Sequence, residues 1–296
     1  MLQHLNTVDR LPERTVVIGA GGFVGGALMR LLNKNGAKAI GLTRKEVDLL
    51  SSGAAATLAA QLRPTDAVVA VAARAPCKNI AMMIDNMAMT KAMVDAIAEV
   101  NPAHVVNISS DAVYADGPVP LTEQTPTAPG SMHGVMHLAR EIAFASTIKA
   151  PLAILRPSLL YGAADPHNGY GPNRFRRLAN TREKIVLFGE GEERRDHVLV
   201  DDVAEIVLRT LKRRSVGRLN IATGEVRSFR DIAERVVAAA PGTVAIESSP
   251  RNGPMPHNGY RPFDIAAVRA AFPDFRFTPL IEGIARAQRE TAGCDG

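Results

Sequence analysis

The chain has 296 residues, 46% hydrophobic, 22% charged and 4% aromatic, with no tryptophan and a formal net charge of +5. Its basic residues are scattered, apart from Arg174-Phe175-Arg176-Arg177, Arg194-Arg195 and Lys212-Arg213-Arg214, so the blocks with interleaved aromatics expected of a nucleic-acid binder are missing. Two distant cysteines, Cys77 and Cys294, make no disulfide framework, and neither a signal pattern nor an apolar run of about 20 residues is found. The expectation is a soluble, cytoplasmic protein that binds neither nucleic acid nor membrane, with a mild positive balance suited to phosphorylated ligands.

Apolar runs of β type alternate with helical patterns through the first half. Strands are predicted at Thr15 to Gly19, Lys38 to Thr43, Asp66 to Ala72, His104 to Ser109 and Leu152 to Arg156. Helices are predicted at Gly22 to Asn35, Ala54 to Leu62, Ile80 to Val100 and Ser131 to Ile148. Continuous apolar strands alternating with helices predict an α/β fold, a doubly wound parallel sheet of Rossmann type covered on both faces. After Pro157 the pattern loosens. Short strands near Ile185 and Val198 are followed by helices at Val203 to Lys212, Phe229 to Ala239 and Leu280 to Arg289. This predicts a dinucleotide-binding domain over 13–160 and a smaller, mainly substrate-binding region over 161–296, some of which returns to the sheet. Met82, Met83, Met87, Met89 and Met93 on one helix read as adaptable packing, in a core or a dimer interface.

Between the first strand and first helix lies Gly19-Ala20-Gly21-Gly22-Phe23-Val24-Gly25. One glycine permits the tight turn, a second lets backbone approach a pyrophosphate, and a third lets helix and strand pack closely. The helix N-terminus then offers unpaired N–H groups to phosphate. A nicotinamide dinucleotide is the expected cofactor. Where an NAD site places a carboxylate after the second strand, this chain has Thr43-Arg44-Lys45-Glu46. Arg44 fits a 2′-phosphate and so NADP, with NAD the alternative; it also fits a solvated loop arginine.

Together with Ser109-Ser110-Asp111-Ala112-Val113-Tyr114, Leu155-Arg156-Pro157 through Gly162, and Arg195-Asp196-His197 through Asp202, these motifs resemble the extended short-chain dehydrogenase/reductase family of nucleotide-sugar epimerases, dehydratases and reductases. The resemblance implies that Arg44 holds the 2′-phosphate, that Asp48 and Leu49 flank the adenine, and that Ala72, Ala73 and Arg74 line the cofactor. It implies that Asp111, Asn173 and Arg195 meet the substrate, and that the subunits form a homodimer through helix pairs.

The family's Tyr-x-x-x-Lys pair is absent. The aligned segment Ser131-Met132-His133-Gly134-Val135-Met136-His137 places His133 at the tyrosine and His137 at the lysine. One reading makes His133 the general acid/base, with Ser110 polarising the substrate oxygen and His137 touching the ribose. Another leaves an inert NAD(P)-binding or regulatory protein. A metal on the two histidines lacks a third ligand, so none is expected. The dehydratase Asp-Glu pair is incomplete, since Asp111 is followed by Ala112. An epimerase or reductase of a nucleotide-linked sugar, with an altered site, is the resulting expectation.

Overall fold

Val16, Val17 and Ile18 are all buried, yet they face opposite ways, because successive side chains of a strand alternate. Val17 packs with one apolar cluster and Val16 and Ile18 with another, so a strand covered on both faces must be apolar throughout. The structure, a computed structural model, describes residues 2–117, 119–240 and 242–292. Cys294 lies outside the described residues.

The elements run β1 (Gln3–His4), β2 (Thr15–Ile18), α1 (Phe23–Lys34), β3 (Ala39–Leu42), α2 (Ala54–Ala59), β4 (Ala67–Ala70), α3 (Ile80–Val100), β5 (His104–Ile108), α4 (Met132–Thr147) and β6 (Leu152–Pro157). Then come β7 (Leu159–Tyr161), α5 (Pro172–Asn180), β8 (Ile185–Phe188), β9 (Arg194–Leu199), α6 (Val200–Lys212) and β10 (Ser215–Ile221). The chain continues with β11 (Val226–Ser228), α7 (Phe229–Ala238), β12 (Ile246–Ser249), β13 (Tyr260–Arg261), α8 (Ala266–Ala271) and α9 (Leu280–Ala292).

The main sheet has seven strands in the order β1-β10-β6-β5-β4-β2-β3. All its pairings are parallel except that of the two-residue edge strand β1 with β10. Helices α1 and α6 cover one face, and α2, α3 and α4 the other. This is the doubly wound α/β architecture expected. From β2 the chain goes to β3 on one side and then to β4 on the other, which opens a crevice beyond the strand C-termini at that switch point.

Elements sit within a few residues of their predicted bounds, with informative exceptions. Helix α2 stops at Ala59 rather than Leu62, and α6 begins at Val200, three residues early, with Asp201 and Asp202 in its first turn. Acidic side chains there complement the helix dipole. Strand β10 was not expected, because Gly217 and Arg218 interrupt its apolar pattern; it adds to the main sheet beside β6. Beyond β6, strand β9 gathers β7, β11 and β13 into a second small sheet, and β8 pairs β12. Tyr161, Phe175, Leu187, Phe229 and Ile232 form a separate apolar core under these strands. Of the methionine series, Met93 is fully buried and the others are half-buried, consistent with packing.

Candidate active site

The glycine loop is built by close approach. Gly19 has φ +96°, and a Cβ there would lie 2.7 Å from the Ala72 backbone nitrogen. A Cβ on Gly25 would lie 2.2 Å from the Gly19 carbonyl oxygen. These two positions let β2, α1 and the end of β4 meet. Gly22 caps α1 without any side-chain bond, whereas Asn79, Ser131 and Ser228 cap α3, α4 and α7. The first-turn N–H groups of α1 are therefore left for an anion. Gly21 faces Thr43, Phe23 and Val24 open the helix, and all line one cavity. The loop fits a dinucleotide pyrophosphate.

At the lip, Thr43 donates through its backbone N–H and hydroxyl to Glu46 (2.8 and 2.6 Å), which turns this carboxylate back on its own loop. Arg44 is exposed and bonds Asp48 at 3.0 Å. The Leu50 backbone N–H and the Arg44 bond hold the Asp48 carboxyl below its usual range. Leu49, Ala72, Ala73 and Arg74 line the same cavity. Asn86 fixes Arg74 by accepting its backbone N–H at 2.8 Å, and Asp85 pairs with its guanidinium.

Helix α4 starts hard against the serine turn. A Cβ on Gly134 would sit 2.0 Å from the Ala112 carbonyl oxygen, so only glycine lets the two segments touch. Ser131 caps the helix by accepting the Gly134 N–H at 3.1 Å. His133 and Ser110 are thereby brought to one cavity. Ser110 Oγ accepts the Ala112 N–H (3.1 Å) and donates to Asp111 Oδ1 (3.3 Å).

The rings of His133 and His137 meet edge to face, 4.6 Å between centroids. Burial pushes both imidazoles below 6.5, His137 the more so, with Asp111 partly opposing the effect at His133. Both are neutral at pH 7. The Cys77 backbone N–H donates to His133 Nδ1 at 3.3 Å, which places the proton of the neutral ring on Nε2. His137 Nδ1 is buried without a partner among the described residues. No metal-binding group of three or more His, Cys, Asp or Glu occurs among the described residues.

Behind these residues runs a buried network. Ser109 donates to Glu141 (2.5 Å), Glu141 takes Arg156 in bidentate fashion (2.8 and 2.6 Å), and Arg156 donates to Tyr114 (2.8 Å). It anchors α4 to β5 and β6, and so fixes the register of His133.

The substrate-side residues divide. Arg195 lies buried in the cavity wall, paired with Glu193 at 2.5 Å and donating to the Pro256 carbonyl. It does not pair with Asp201 or Asp202, which bind Arg286 and Thr278. Asn173 spends both ends of its amide on backbone, accepting from Gly162 (3.0 Å) and donating to Leu160 (3.1 Å). Its place in the wall is structural first. Asp111 is tied to a residue the sequence reading missed: Arg261 donates to its carboxylate (2.8 Å) and carbonyl (2.6 Å) and to Asp116 (2.7 Å). Arg261 lies 150 positions away, and a lone Arg-Pro pair carries little signal. The contacts of the Cys77 backbone N–H with His133 and of Arg140 with Asn107, Ala70 and Ala72 are likewise supplied only by the fold.

One cavity of about 1290 Å³ joins these parts, from Arg44 past the glycine loop and the histidine pair to Arg195 and Arg261. That exceeds the usual size of a site for one small ligand, roughly 300–1,000 Å³, and suits two ligands end to end.

The model of the NAD dependent epimerase/dehydratase family matches residues 15–222. A dTDP-L-rhamnose 4-epimerase from Burkholderia thailandensis is 34% identical over 125 residues, 40% of this chain and 34% of that protein. A dTDP-4-dehydro-6-deoxy-D-allose reductase from Streptomyces bikiniensis is 26% identical over 273 residues, 78% of this chain and 83% of that protein. Among solved structures, a GDP-L-fucose synthetase from Naegleria fowleri bound to NADP superposes with a TM-score of 0.83 at 17% identity, covering 99% of this chain and 96% of that one. At that identity the likeness shows the fold alone.

Proposed function

The chain belongs to the NAD dependent epimerase/dehydratase family, and from that premise we propose that it is an NAD(P)-dependent reductase or epimerase of a nucleotide-linked sugar. A single observation carries this reading: one cavity joins an uncapped helix N-terminus, a serine and histidine pair, and two buried guanidinium groups, Arg195 and Arg261. The first end takes the dinucleotide and the last two take the diphosphate of the substrate, for which guanidinium geometry is suited. The relatives named above are an epimerase and a reductase of nucleotide-linked sugars, which supports the substrate class. The part of the chain after residue 160 carries Asn173, Arg195 and Arg261, and we assign it mainly to the substrate.

The bound nicotinamide supplies or accepts a hydride. The protein must then handle the charge on the substrate oxygen. Ser110, once its hydroxyl turns from the long 3.3 Å bond to Asp111, and His133 offer donors to that oxygen. Since His133 Nδ1 is taken by Cys77 and the ring is neutral, Nε2–H acts as a hydrogen-bond donor that stabilises an alkoxide. The alkoxide draws its final proton from solvent. This arrangement favours reduction of a ketone over removal of a proton from an alcohol, which would need a free lone pair on Nε2. The unpartnered Nδ1 of His137 suits a ribose hydroxyl. Exposed Arg44, with Glu46 turned away, favours NADP over NAD.

Ile80 and Ile84 on α3, with Val135 and Ile142 on α4, are exposed apolar side chains on adjacent helices, which supports a homodimer through this face. A cytoplasmic location is part of the proposal, in keeping with the free thiol of Cys77. No described helix is long and apolar enough to cross a membrane.

The test is oxidation of NADPH, followed at 340 nm, with a panel of nucleotide-linked ketosugars. Turnover that falls in His133→Ala by roughly 10²-fold or more supports the assignment. Tight NADPH binding with no turnover on any member of the panel would establish the inert, cofactor-binding alternative instead.

A further inference from the structure

His133, His137 and Arg140 are spaced four and three apart and so share one face of α4. The two histidines line the cavity, and Arg140 lies behind them, 1% exposed. Its guanidinium donates to Asn107 Oδ1 (2.7 Å), to the Ala72 carbonyl (2.5 Å) and to the Ala70 carbonyl (2.8 Å), and it stands 5.5 Å from the centre of the Phe144 ring. Each of these oxygens is neutral. Arg156, Arg195 and Arg261 are buried too, but each is paired with a carboxylate. Burial draws Arg140 down to about 10, so it remains charged at neutral pH.

An unpaired buried cation is costly, and the chain has an obvious remedy that it does not use. Asn107 is fully buried, accepts from Arg140 with its oxygen, and leaves its Nδ2 without a partner among the described residues. An aspartate of the same shape would remove the orphaned donor and neutralise the guanidinium together. The amide keeps the charge bare. Its location gives the charge a use. Ala72, whose carbonyl Arg140 holds, packs against Gly19 of the glycine loop and lines the crevice, as does His137.

We propose that Arg140 is a positioning residue that supplies the fixed positive charge of the catalytic centre, acting from behind the cofactor crevice on whatever lies between Ala72 and His137. This rests on the reading that a nicotinamide dinucleotide binds there. The oxidised nicotinamide ring carries a positive charge and the reduced ring none, while the phosphates are common to both forms. A bare cation behind the crevice wall therefore favours the reduced cofactor. A unit charge acting over about 10 Å at an effective dielectric near 20 shifts such a preference by about tenfold.

The experiment measures Kd for NADPH and NADP⁺ by titration calorimetry on the intact protein, and takes their ratio. Arg140→Gln removes the charge, Asn107→Asp neutralises it without removing any bond to the guanidinium, and Arg140→Lys retains it. The expected result is a preference for NADPH that falls about tenfold in both Arg140→Gln and Asn107→Asp, and that stays within about twofold of the native ratio in Arg140→Lys. A purely structural Arg140 would leave Asn107→Asp unchanged, since that variant keeps the contact and gains an ion pair. An unchanged ratio in folded Asn107→Asp overturns the proposal, and this variant decides the matter if Arg140→Gln does not fold. Failure of the native protein to bind either form overturns the cofactor reading itself, and this inference with it.

Discussion

Gly25 and Gly26 are neighbours in the first turn of α1, yet alanine should act in opposite directions at the two positions. A Cβ on Gly26 would meet nothing closer than 3.7 Å. Replacing a helical glycine by alanine with no clash is worth about 0.5–1 kcal/mol of added stability. A Cβ on Gly25 would lie 2.2 Å from the Gly19 carbonyl oxygen, 2.9 Å from its carbon and 3.0 Å from the Ala20 Cα. Those atoms are backbone, and the strand and helix they join are both core elements, so they have little room to yield. Overpacking of this kind costs about 1–3 kcal/mol, and the overlap places Gly25→Ala near the upper end. With the gain in helix propensity subtracted, the net loss is about 2 kcal/mol, and the two variants should differ by about 3 kcal/mol. Urea denaturation read by circular dichroism checks the stabilities. Calorimetry with NADP⁺ checks the loop: Gly25→Ala should weaken binding by roughly tenfold or more, because shifting Gly19 misplaces the N–H groups proposed to meet the phosphates, while Gly26→Ala should leave it unchanged. Equal stability of the two variants, with equal affinity for NADP⁺, would refute the claim that close approach at Gly25 shapes this site.

Other expectations follow from the same geometry. Glu141→Gln leaves Arg156 charged and buried without its ion pair and with two of its three hydrogen bonds, and should destabilise the fold by about 3–5 kcal/mol in the same urea assay. Burial draws His104 from 6.5 down to about 4, so the unfolded chain binds its proton first as pH falls. The His104 contribution is thus fully present above pH 6.5 and is lost between there and pH 4, by roughly 3 kcal/mol. Urea midpoints at pH 7.5 and 4.5 should therefore diverge less in His104→Gln than in the native chain. Arg44→Ala should weaken NADPH by about 10- to 100-fold and leave NADH nearly unchanged, as calorimetry with both cofactors would show; equal losses would remove the assignment to the 2′-phosphate. Ile84→Glu should give a monomer by size-exclusion chromatography with light scattering, whereas a native monomer would dispose of the dimer through α3 and α4.

The glycine loop, the alternation of strand and helix, and the placing of His133 and His137 on one face of a helix were all legible in the residues alone. The reason is that these features are local. Strand and helix periods repeat every two or 3.6 residues, a glycine turn spans seven, and His133 and His137 are one helical turn apart. What the fold decided depends on contacts between distant segments. The proton position on His133 is set by Cys77, 56 residues before it, and the engagement of Asp111 by Arg261, 150 residues after it. Strand β10 joined the sheet despite its broken pattern because β6 offered a free edge, and Asn173 turned out to spend its amide on backbone that no spacing rule pairs with it. Arg140 shows the division most plainly. In the sequence it is the single arginine of an amphipathic helix; only packing removes it from water, withholds a carboxylate and sets it behind the crevice, since desolvation and pairing are properties of neighbours brought together by the fold.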